Sequence, residues 1–317
     1  MDPMISVEHL TKQYKKAATP AVDDVSFHVN PGELFAFLGP NGAGKTTTIS
    51  ILTTTLAKTS GTITIAGHDL DRDPTAVRRE IGIIFQKPSI DSHLSGEENI
   101  RLHVALYGVY GYRPLYRLMP AEYRRRIEHL AGVVGLGDDL FRPLKTFSGG
   151  MSRKLEIVRS LMHRPAVLFL DEPTSGLDPI SRRGLWDYLR EVRNDDGTTV
   201  FLTTHYLDEA EGADRVCVID HGKVAIDATP DVLKSSLLER TLVLDAADRT
   251  ALRSELIELG FAPHDDPGGQ LRIDYRTPTA QDVIARIQTP LTVLRIREPS
   301  LEEAYIELLR DPEEAVA

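Results

Sequence analysis

The chain of 317 residues contains one cysteine, one tryptophan and only 6% aromatic residues, and no apolar run in it approaches the roughly 20 residues that span a bilayer. A single cysteine excludes a disulfide within the chain, which favours a reducing compartment. Cys217 lies in the apolar run 216–219, so we expect a buried, unreactive thiol. Residues 1–10 carry acidic residues and no long apolar core, so we expect no secretory signal there.

Positive charge is scarcer than negative charge, with 37 lysines and arginines against 47 aspartates and glutamates. Residues 226–317 hold 18 acidic and 10 basic side chains, whereas residues 1–225 hold 29 and 27. An acidic C-terminal part should repel phosphate backbones, so we expect no nucleic-acid partner. A hydrophobic content of 41% is typical of a soluble globular protein with one large domain or two ordinary ones.

Apolar runs alternate with helical stretches through the first two-thirds of the chain, as in a parallel-sheet α/β fold. Uninterrupted apolar runs are typical of central strands that are covered on both faces. The predicted strands are 34–38, 62–66, 82–85, 167–170, 200–202 and 216–219. A helix is predicted from Lys45, with Ile49, Leu52 and Leu56 on one face. Residues 90–146 are rich in arginine and tyrosine, and we predict a helical subdomain there that extends to about residue 160.

The sequence pattern changes near residues 229–230. Strands are then predicted at 241–245, 271–275 and 291–296, and helices at 249–259, 279–287 and 300–309. Ser300 is a suitable N-cap, with Glu303 as its capping-box partner. We therefore predict two domains, a larger α/β domain over residues 4–230 and a small accessory α/β domain over residues 231–317.

A glycine-rich loop follows the strand 34–38 and leads into the helix that begins at Lys45. It matches the phosphate-binding pattern GxxxxGK[ST] with Gly39, Pro40, Asn41, Gly42, Ala43, Gly44, Lys45 and Thr46. Glycines let backbone N–H groups converge on phosphates, and the helix N-terminus adds positive potential. Lys45 is expected to contact the β- and γ-phosphates, and Thr46 to offer its hydroxyl to Mg²⁺. The strand–loop–helix context disfavours a purely structural glycine turn.

Two carboxylates, Asp171 and Glu172, follow the apolar run 167–170. We expect the strand to place Asp171 beside the phosphate loop, where it can hold Mg²⁺ through water. Glu172 is then expected to act as a general base or to position the attacking water. Alone, the pair could be solvated carboxylates at a strand end, but the phosphate loop favours the catalytic interpretation.

A second anion site is indicated by Ser148, Gly149 and Gly150, which open a predicted helix with Leu155 and Val158 on its apolar face. Taken alone, these residues would more simply form an ordinary loop and N-cap. Two phosphate-binding helix ends in one chain make sense if two chains meet head to tail. Each ATP would then lie between the glycine loop of one subunit and the Ser-Gly-Gly segment of the other.

Three single residues could complete the site. Gln86 follows the strand 82–85, and its amide could ligate Mg²⁺ or orient water. His205 follows the strand 200–202 and could hydrogen-bond to the γ-phosphate. Tyr14 could stack on adenine through its ring. A lone histidine is usually structural, and an exposed tyrosine in a basic turn needs no ligand.

Taken in order, these motifs resemble those of the ATP-binding subunits of ABC transporters over about residues 4–230. The matching elements are the A-loop (Tyr14), Walker A (Gly39 to Thr46), Q-loop (Gln86), signature (Ser148 to Met151), Walker B (Val167 to Asp171), D-loop (Ser175 to Asp178) and switch histidine (His205). The resemblance implies that Glu172 is the catalytic glutamate, with Gln86 and His205 also in the catalytic site. It further implies nucleotide contacts from Thr47 and Asp178, and Mg²⁺ ligation by Thr46, Gln86 and Asp171.

The resemblance implies a P-loop NTPase fold: a RecA-like parallel-sheet core with an antiparallel β part and a helical subdomain, which binds ATP and Mg²⁺. The signature reads SGGM, and the tail carries EPSLEE at residues 298–303; both are similar to daunorubicin-type antibiotic-resistance exporters. That branch implies a homodimer bound to a separate ABC-2 type permease at the cytoplasmic face of the membrane. The cargo stays open among drug-like, lipid, polysaccharide and ion substrates.

Some residues depart from the family pattern. Met151 stands where glutamine is usual, and Lys154 stands where many relatives have arginine, so a bidentate contact could be lost. The tyrosine-rich stretch 107–119 could dock a membrane partner or could be a variation in helix packing. The alternative function is a soluble ABC ATPase acting on ribosomes or DNA. A single cassette, the lack of a coiled-coil heptad run and the acidic tail disfavour it.

Overall fold

The computed structural model describes residues 2–85, 90–175, 177–204, 206–237, 240–266, 268–275, 279–297 and 299–309. The chain divides into two compact units, Met1–Asp227 and Ala228–Ala317. Within the described ranges, no helix combines the length and the apolar character needed to cross a bilayer.

The first unit is built from two sheets with helices between their strands. Its strands are β1 (Ile5–Lys12), β2 (Val22–Val29), β3 (Leu34–Leu38), β4 (Ser60–Ile65), β5 (His68–Asp69), β6 (Ile81–Ile84), β7 (Val167–Asp171), β8 (Thr199–Thr203), β9 (Arg215–Asp220) and β10 (Lys223–Ala228). Its helices are α1 (Lys45–Leu52), α2 (Pro74–Glu80), α3 (Gly96–Leu106), α4 (Ala121–Val133), α5 (Gly149–Leu161), α6 (Pro179–Asp196) and α7 (Leu207–Ala210). The predicted strands are present, but Leu56 lies beyond the end of α1 instead of on its apolar face.

The larger sheet has the strand order β10-β9-β3-β8-β7-β6, in which β9, β3, β8, β7 and β6 pair in parallel. The smaller sheet has the order β2-β1-β4-β5 and is antiparallel. β3, β7 and β8 are buried along their whole length, as their uninterrupted apolar sequences predict. Because parallel strands end at one edge, the segments after β3, β6, β7 and β8 emerge on the same side of the sheet.

Aromatic side chains pack the two sheets together. Phe27 of β2 lies 5.5 Å from both Phe35 and Phe37 of β3 and 6.0 Å from Phe201 of β8, measured between ring centroids. Phe201 also lies 5.4 Å from Phe169 of β7. All five rings are buried, and each such pair contributes about 1 kcal/mol beyond the burial of its area. This core holds β3, β7 and β8 in fixed register beneath the candidate site.

The predicted helical subdomain consists mainly of α3, α4 and α5. Three of the four tyrosines of the stretch 107–119 pack inside it. Tyr107 lies 4.9 Å from His163, Tyr110 lies 5.6 Å from Tyr123, and Tyr116 lies 5.1 Å from Phe141, measured between ring centroids. Local helix packing therefore accounts for these three, whereas Tyr112 is 61% exposed.

The second unit has the βαββαβ order of a ferredoxin-like fold. Its elements are α8 (Pro230–Leu237), β11 (Arg240–Ala246), α9 (Arg249–Glu258), β12 (His264–Asp265), β13 (Leu271–Tyr275), α10 (Ala280–Ile284), β14 (Leu291–Arg297) and α11 (Leu301–Leu309). The sheet order is β12-β13-β11-β14, all antiparallel. The capping box at Ser300 is present. The Ser300 N–H donates to Glu303 Oε2 at 3.0 Å, and the Glu303 N–H donates to Ser300 Oγ at 3.1 Å. The helix predicted to end at residue 287 ends instead at Ile284.

Candidate active site

The glycine loop connects β3 to α1 at the carboxyl edge of the larger sheet. A Cβ atom at Gly39 would lie 2.3 Å from the carbonyl oxygen of Ile219, and one at Gly44 would lie 2.5 Å from that of Ala21. Only glycine fits at these two positions, and Gly44 also has a φ of +112°. The loop is thus fixed against β9 and the segment before β2.

The N-terminus of α1 faces the loop without a capping side chain or an acidic residue in its first turn. Its first N–H groups have no intrahelical partner, and the helix dipole gives them positive potential. The residues that follow Lys45 differ in exposure: Thr46 is exposed and Thr47 is half-buried. This arrangement suits an anion such as a phosphate group.

Lys45 is buried at the start of α1, although it is a lysine. Its ammonium donates hydrogen bonds to the carbonyl oxygens of Gly39 at 2.6 Å and Pro40 at 3.0 Å. Burial lowers the pKa of Lys45, while the nearby carboxylates of Glu172 and Asp171 act in the opposite direction. The structure thus brings together the lysine and both carboxylates that the sequence predicted to share a site.

Asp171 ends β7 and lies almost completely buried. The Thr203 hydroxyl of the neighbouring strand donates a hydrogen bond of 2.5 Å to its Oδ1 atom. Burial raises the pKa of Asp171, and the Thr203 hydrogen bond partly opposes that rise. Glu172 follows with a positive φ of 47°, and its N–H donates to the carbonyl oxygen of Thr203 at 3.0 Å. β8 therefore holds the carboxylate of Asp171 and the backbone of Glu172 at the sheet edge.

Sequence reasoning missed two buried charged residues around this turn, Arg153 and Glu209. Arg153 of α5 donates hydrogen bonds to the carbonyl oxygens of Asp171, Glu172 and Pro173. Glu209 of α7 accepts hydrogen bonds from the hydroxyls of Thr174 and Thr204. The sequence offers one signal for both residues: each is a charged residue in a helix that also buries apolar residues.

Thr204 immediately precedes His205, so Glu209 links the turn after β7 to the segment that leads to the predicted switch histidine. His205 itself lies outside the described residues, as do Gln86 and Gly176. Their predicted roles therefore stay predictions.

Ser148 is the N-cap of α5, and its hydroxyl accepts a hydrogen bond of 3.2 Å from the Met151 N–H. Ser148 and Gly149 are exposed, and Gly150 is half-buried. Asp178 is likewise exposed, and its side chain accepts a hydrogen bond of 3.0 Å from the Ile180 N–H at the start of α6. Both segments are accessible to a second molecule.

Comparisons with known proteins agree with this geometry. The family model described as ABC transporter matches residues 22–175. The daunorubicin/doxorubicin resistance ATP-binding protein DrrA of Streptomyces peucetius is 42% identical over 97% of this chain and 93% of its own length. The linearmycin resistance ATP-binding protein LnrL of Bacillus subtilis (strain 168) is 31% identical over 96% and 98%, respectively.

This chain belongs to the ABC transporter family. It is an ATP-binding ATPase of that family, as its motifs predicted, and it groups with the daunorubicin-resistance branch. The solved structure of an ATP-binding subunit of an ABC transporter is 32% identical, with a TM-score of 0.65 over 74% of this chain and 92% of its own. A dimeric post-hydrolysis cassette bound to ADP and Pi is 27% identical, with a TM-score of 0.63 over 71% and 98%. The predicted cassette fold is therefore confirmed, and the comparisons give no support to a ribosomal or DNA-directed ATPase.

The residues of this ABC ATPase also suit Mg²⁺. The Thr46 hydroxyl and the Asp171 carboxylate supply the hard oxygen ligands that this ion prefers. Asp171 is buried beside Lys45, so a cation there would offset the cost of its desolvated charge. Within the described part of the chain no group of three or more histidine, cysteine or acidic residues could hold a metal. Mg²⁺ is usually bound by one or two carboxylates together with phosphate oxygens and water, which suits a site with a single buried aspartate.

Substitution of Tyr14 would test whether adenine stacks on its ring in this ABC ATPase. Its hydroxyl lies 3.5 Å from Thr47 Oγ1, and the ring is 44% exposed beside the start of α1. Stacking of a base on an aromatic ring contributes about 1–3 kcal/mol. We therefore expect Tyr14→Ala to raise KM for ATP about tenfold with little change in kcat, measured by steady-state phosphate release.

The matched variant Tyr14→Phe keeps the ring and removes the hydroxyl. It should retain a KM within about twofold of the wild type, because stacking needs only the ring face. Equal losses in both variants would assign the effect to the hydroxyl contact with Thr47 and not to stacking.

Proposed function

We propose that this ABC ATPase powers the export of a drug-like antibiotic through a separate ABC-2 type permease at the cytoplasmic face of the membrane. Residues 4–230 would be the ATP-binding domain and residues 231–317 an accessory domain. The proposal is carried by the 42% identity to the daunorubicin/doxorubicin resistance protein, which extends over 97% of this chain and so includes the second unit. A lipid or polysaccharide cargo has no comparable support.

We propose that two copies bind two ATP molecules head to tail. The loop Gly39 to Thr47 of one subunit would cradle the phosphates, and Lys45 would neutralise the β- and γ-phosphates. Ser148, Gly149 and Gly150 of the other subunit would contact the γ-phosphate, with Asp178 close by. The exposure of Ser148 and the dimeric relative bound to ADP and Pi support this arrangement.

Hydrolysis would then depend on residues at the carboxyl edge of the larger sheet. Thr46, Asp171 and Gln86 would hold Mg²⁺, which when bound neutralises charge on the phosphate oxygens. Glu172 would accept a proton from the attacking water as its oxygen bonds to the γ-phosphorus and the bond to ADP breaks. His205 would hydrogen-bond to the γ-phosphate, and Tyr14 would stack on adenine.

The first test is a pull-down of the tagged chain from detergent-solubilised membranes of its native host, followed by mass spectrometry. We expect a polytopic membrane protein of the ABC-2 type at near-stoichiometric yield. Ribosomal or DNA-repair proteins without a membrane partner would contradict the proposal. So would a polytopic partner of another permease class.

The cargo is tested by co-expressing the chain with that permease in cells loaded with doxorubicin. Cells with the wild-type pair should accumulate less drug than cells with the Glu172→Gln variant, because the variant is expected to hydrolyse ATP far more slowly than the wild type. Glu191→Gln removes an exposed carboxylate from α6 and should behave as wild type. Equal accumulation in all three strains would exclude doxorubicin as cargo.

A further inference from the structure

Arg153 is a buried arginine in the second turn of α5, and it is only 5% exposed. Its Nε atom donates to the carbonyl oxygen of Pro173 at 2.9 Å, and its Nη2 atom donates to those of Asp171 and Glu172, each at 3.2 Å. Three consecutive carbonyl groups of the turn after β7 therefore converge on one side chain. The planar guanidinium can satisfy them together because its donors form a rigid fork.

The same guanidinium reaches a third element of the site. Its Nη1 atom donates to the carbonyl oxygen of Phe85, the residue before Gln86, and to Glu156 Oε2 at 3.2 Å. Glu156 lies on the same helix and is 1% exposed, so this ion pair fixes the guanidinium relative to α5. Arg153 thus joins the helix that begins at Ser148 to the ends of β6 and β7.

Glu172 needs such support because its backbone is unfavourable. Its φ of +47° lies in the left-handed region, which residues with side chains adopt uncommonly. A conformation of this kind persists only where the surroundings hold it. Its N–H donates to Thr203, and its carbonyl oxygen accepts from Arg153, so the peptide groups on both sides are fixed.

We propose that Arg153 is a positioning residue that couples the Ser148 end of α5 to the carboxylate of Glu172 in the same subunit. In a head-to-tail dimer, Ser148 contacts the partner's nucleotide. A displacement of α5 on that contact moves the guanidinium, and with it the carbonyl groups of Asp171 and Glu172. The inference rests on the dimer arrangement and the role of Glu172 proposed above.

The test compares Arg153→Lys, which keeps the charge without the fork, with Arg153→Met, which keeps neither. We expect kcat to fall about tenfold in the first and about 10²-fold in the second, since small misplacements of catalytic groups have effects of this size. KM for ATP should change less than about threefold, because the hydrogen bonds described for Arg153 go to the turn after β7, to Phe85 and to Glu156 rather than to the glycine loop. A rise in KM with unchanged kcat would overturn the proposal.

Arg101→Lys is the matched control, because Arg101 is equally buried on α3 and binds Glu97 at 3.0 Å. It should lower the melting temperature about as much as Arg153→Lys and leave kcat unchanged. Equal losses of kcat in the two lysine variants would overturn the proposal. If Glu172→Gln also hydrolysed ATP normally, the role of Glu172 would fail, and with it the basis of the coupling.

Hydrogen exchange provides a readout that does not depend on the folding of the Arg153 variants. Addition of ATP to the wild-type chain should increase protection of peptides that cover residues 171–175. The Ser148→Arg variant blocks the contact with the partner's nucleotide and should show no such increase. Protection that is unchanged in the wild type, or equal in both proteins, would overturn the proposal.

Discussion

Glu172→Gln should reduce ATP turnover about 10²–10⁴-fold, the range associated with loss of a general base. The glutamine amide keeps the shape of the side chain but cannot accept a proton from water. ATP binding should persist, because Lys45 and the N-terminus of α1 are unchanged. With hydrolysis blocked, the ATP-bound head-to-tail dimer should accumulate. Phosphate release measures the turnover, and size-exclusion chromatography with ATP measures the dimer.

Glu191→Gln is the control for this experiment, because its carboxylate is exposed on α6. It should hydrolyse ATP at the wild-type rate and show no trapped dimer. Near-wild-type turnover in Glu172→Gln would contradict the role proposed for Glu172. Loss of ATP binding in that variant would instead indicate a structural role for the carboxylate at the end of β7.

Lys45→Met should weaken ATP binding about 10²-fold or more, since truncating one partner of a buried, hydrogen-bonded charge pair costs about 2–5 kcal/mol. The ammonium lies close enough to Asp171 and Glu172 for both to act on its pKa. Without it, the triphosphate would meet two carboxylates whose charge is no longer offset. Isothermal titration calorimetry with ATP measures the change in Kd.

Lys223→Met is a suitable control, because Lys223 forms an exposed ion pair with Asp23 at 3.3 Å. It should bind ATP as tightly as the wild type, since exposed pairs contribute little. An equal Kd for the wild type and Lys45→Met would show that the loop N–H groups alone hold the phosphates.

The parts of the fold that the sequence predicted are those with local signals. The strand 34–38, the helix from Lys45 and the capping box at Ser300 each follow from residues close together in the chain. β1 and β2 were not predicted. His9 and Asp24 have positive φ values, and the register between the two strands shifts near them, so the alternation of apolar and polar residues along each strand is interrupted. β12 has only two residues, too few for a periodic pattern.

The motifs predicted which residues form the candidate site, but they did not predict the buried residues that hold them in place. Lys45, Asp171 and Glu172 converge as expected, because their strands end at one edge of the sheet. Arg153 and Glu209 were missed because they bind carbonyl groups and hydroxyls of segments that are distant in sequence. A backbone carbonyl leaves no signature in the amino-acid sequence, so contacts of this kind become visible only in the folded chain.

The burial of Cys217 has a practical consequence for following this ATPase at work. The thiol is fully buried in β9, and burial raises its pKa well above the ordinary value, so the reactive thiolate is scarce at neutral pH. Because Cys217 is the chain's one cysteine, we expect the native protein to react little with maleimide reagents. A cysteine introduced at an exposed position of α6, such as Arg190, would then be the one residue that a maleimide fluorophore labels. Energy transfer between two labelled copies could then report dimer closure in real time without further engineering.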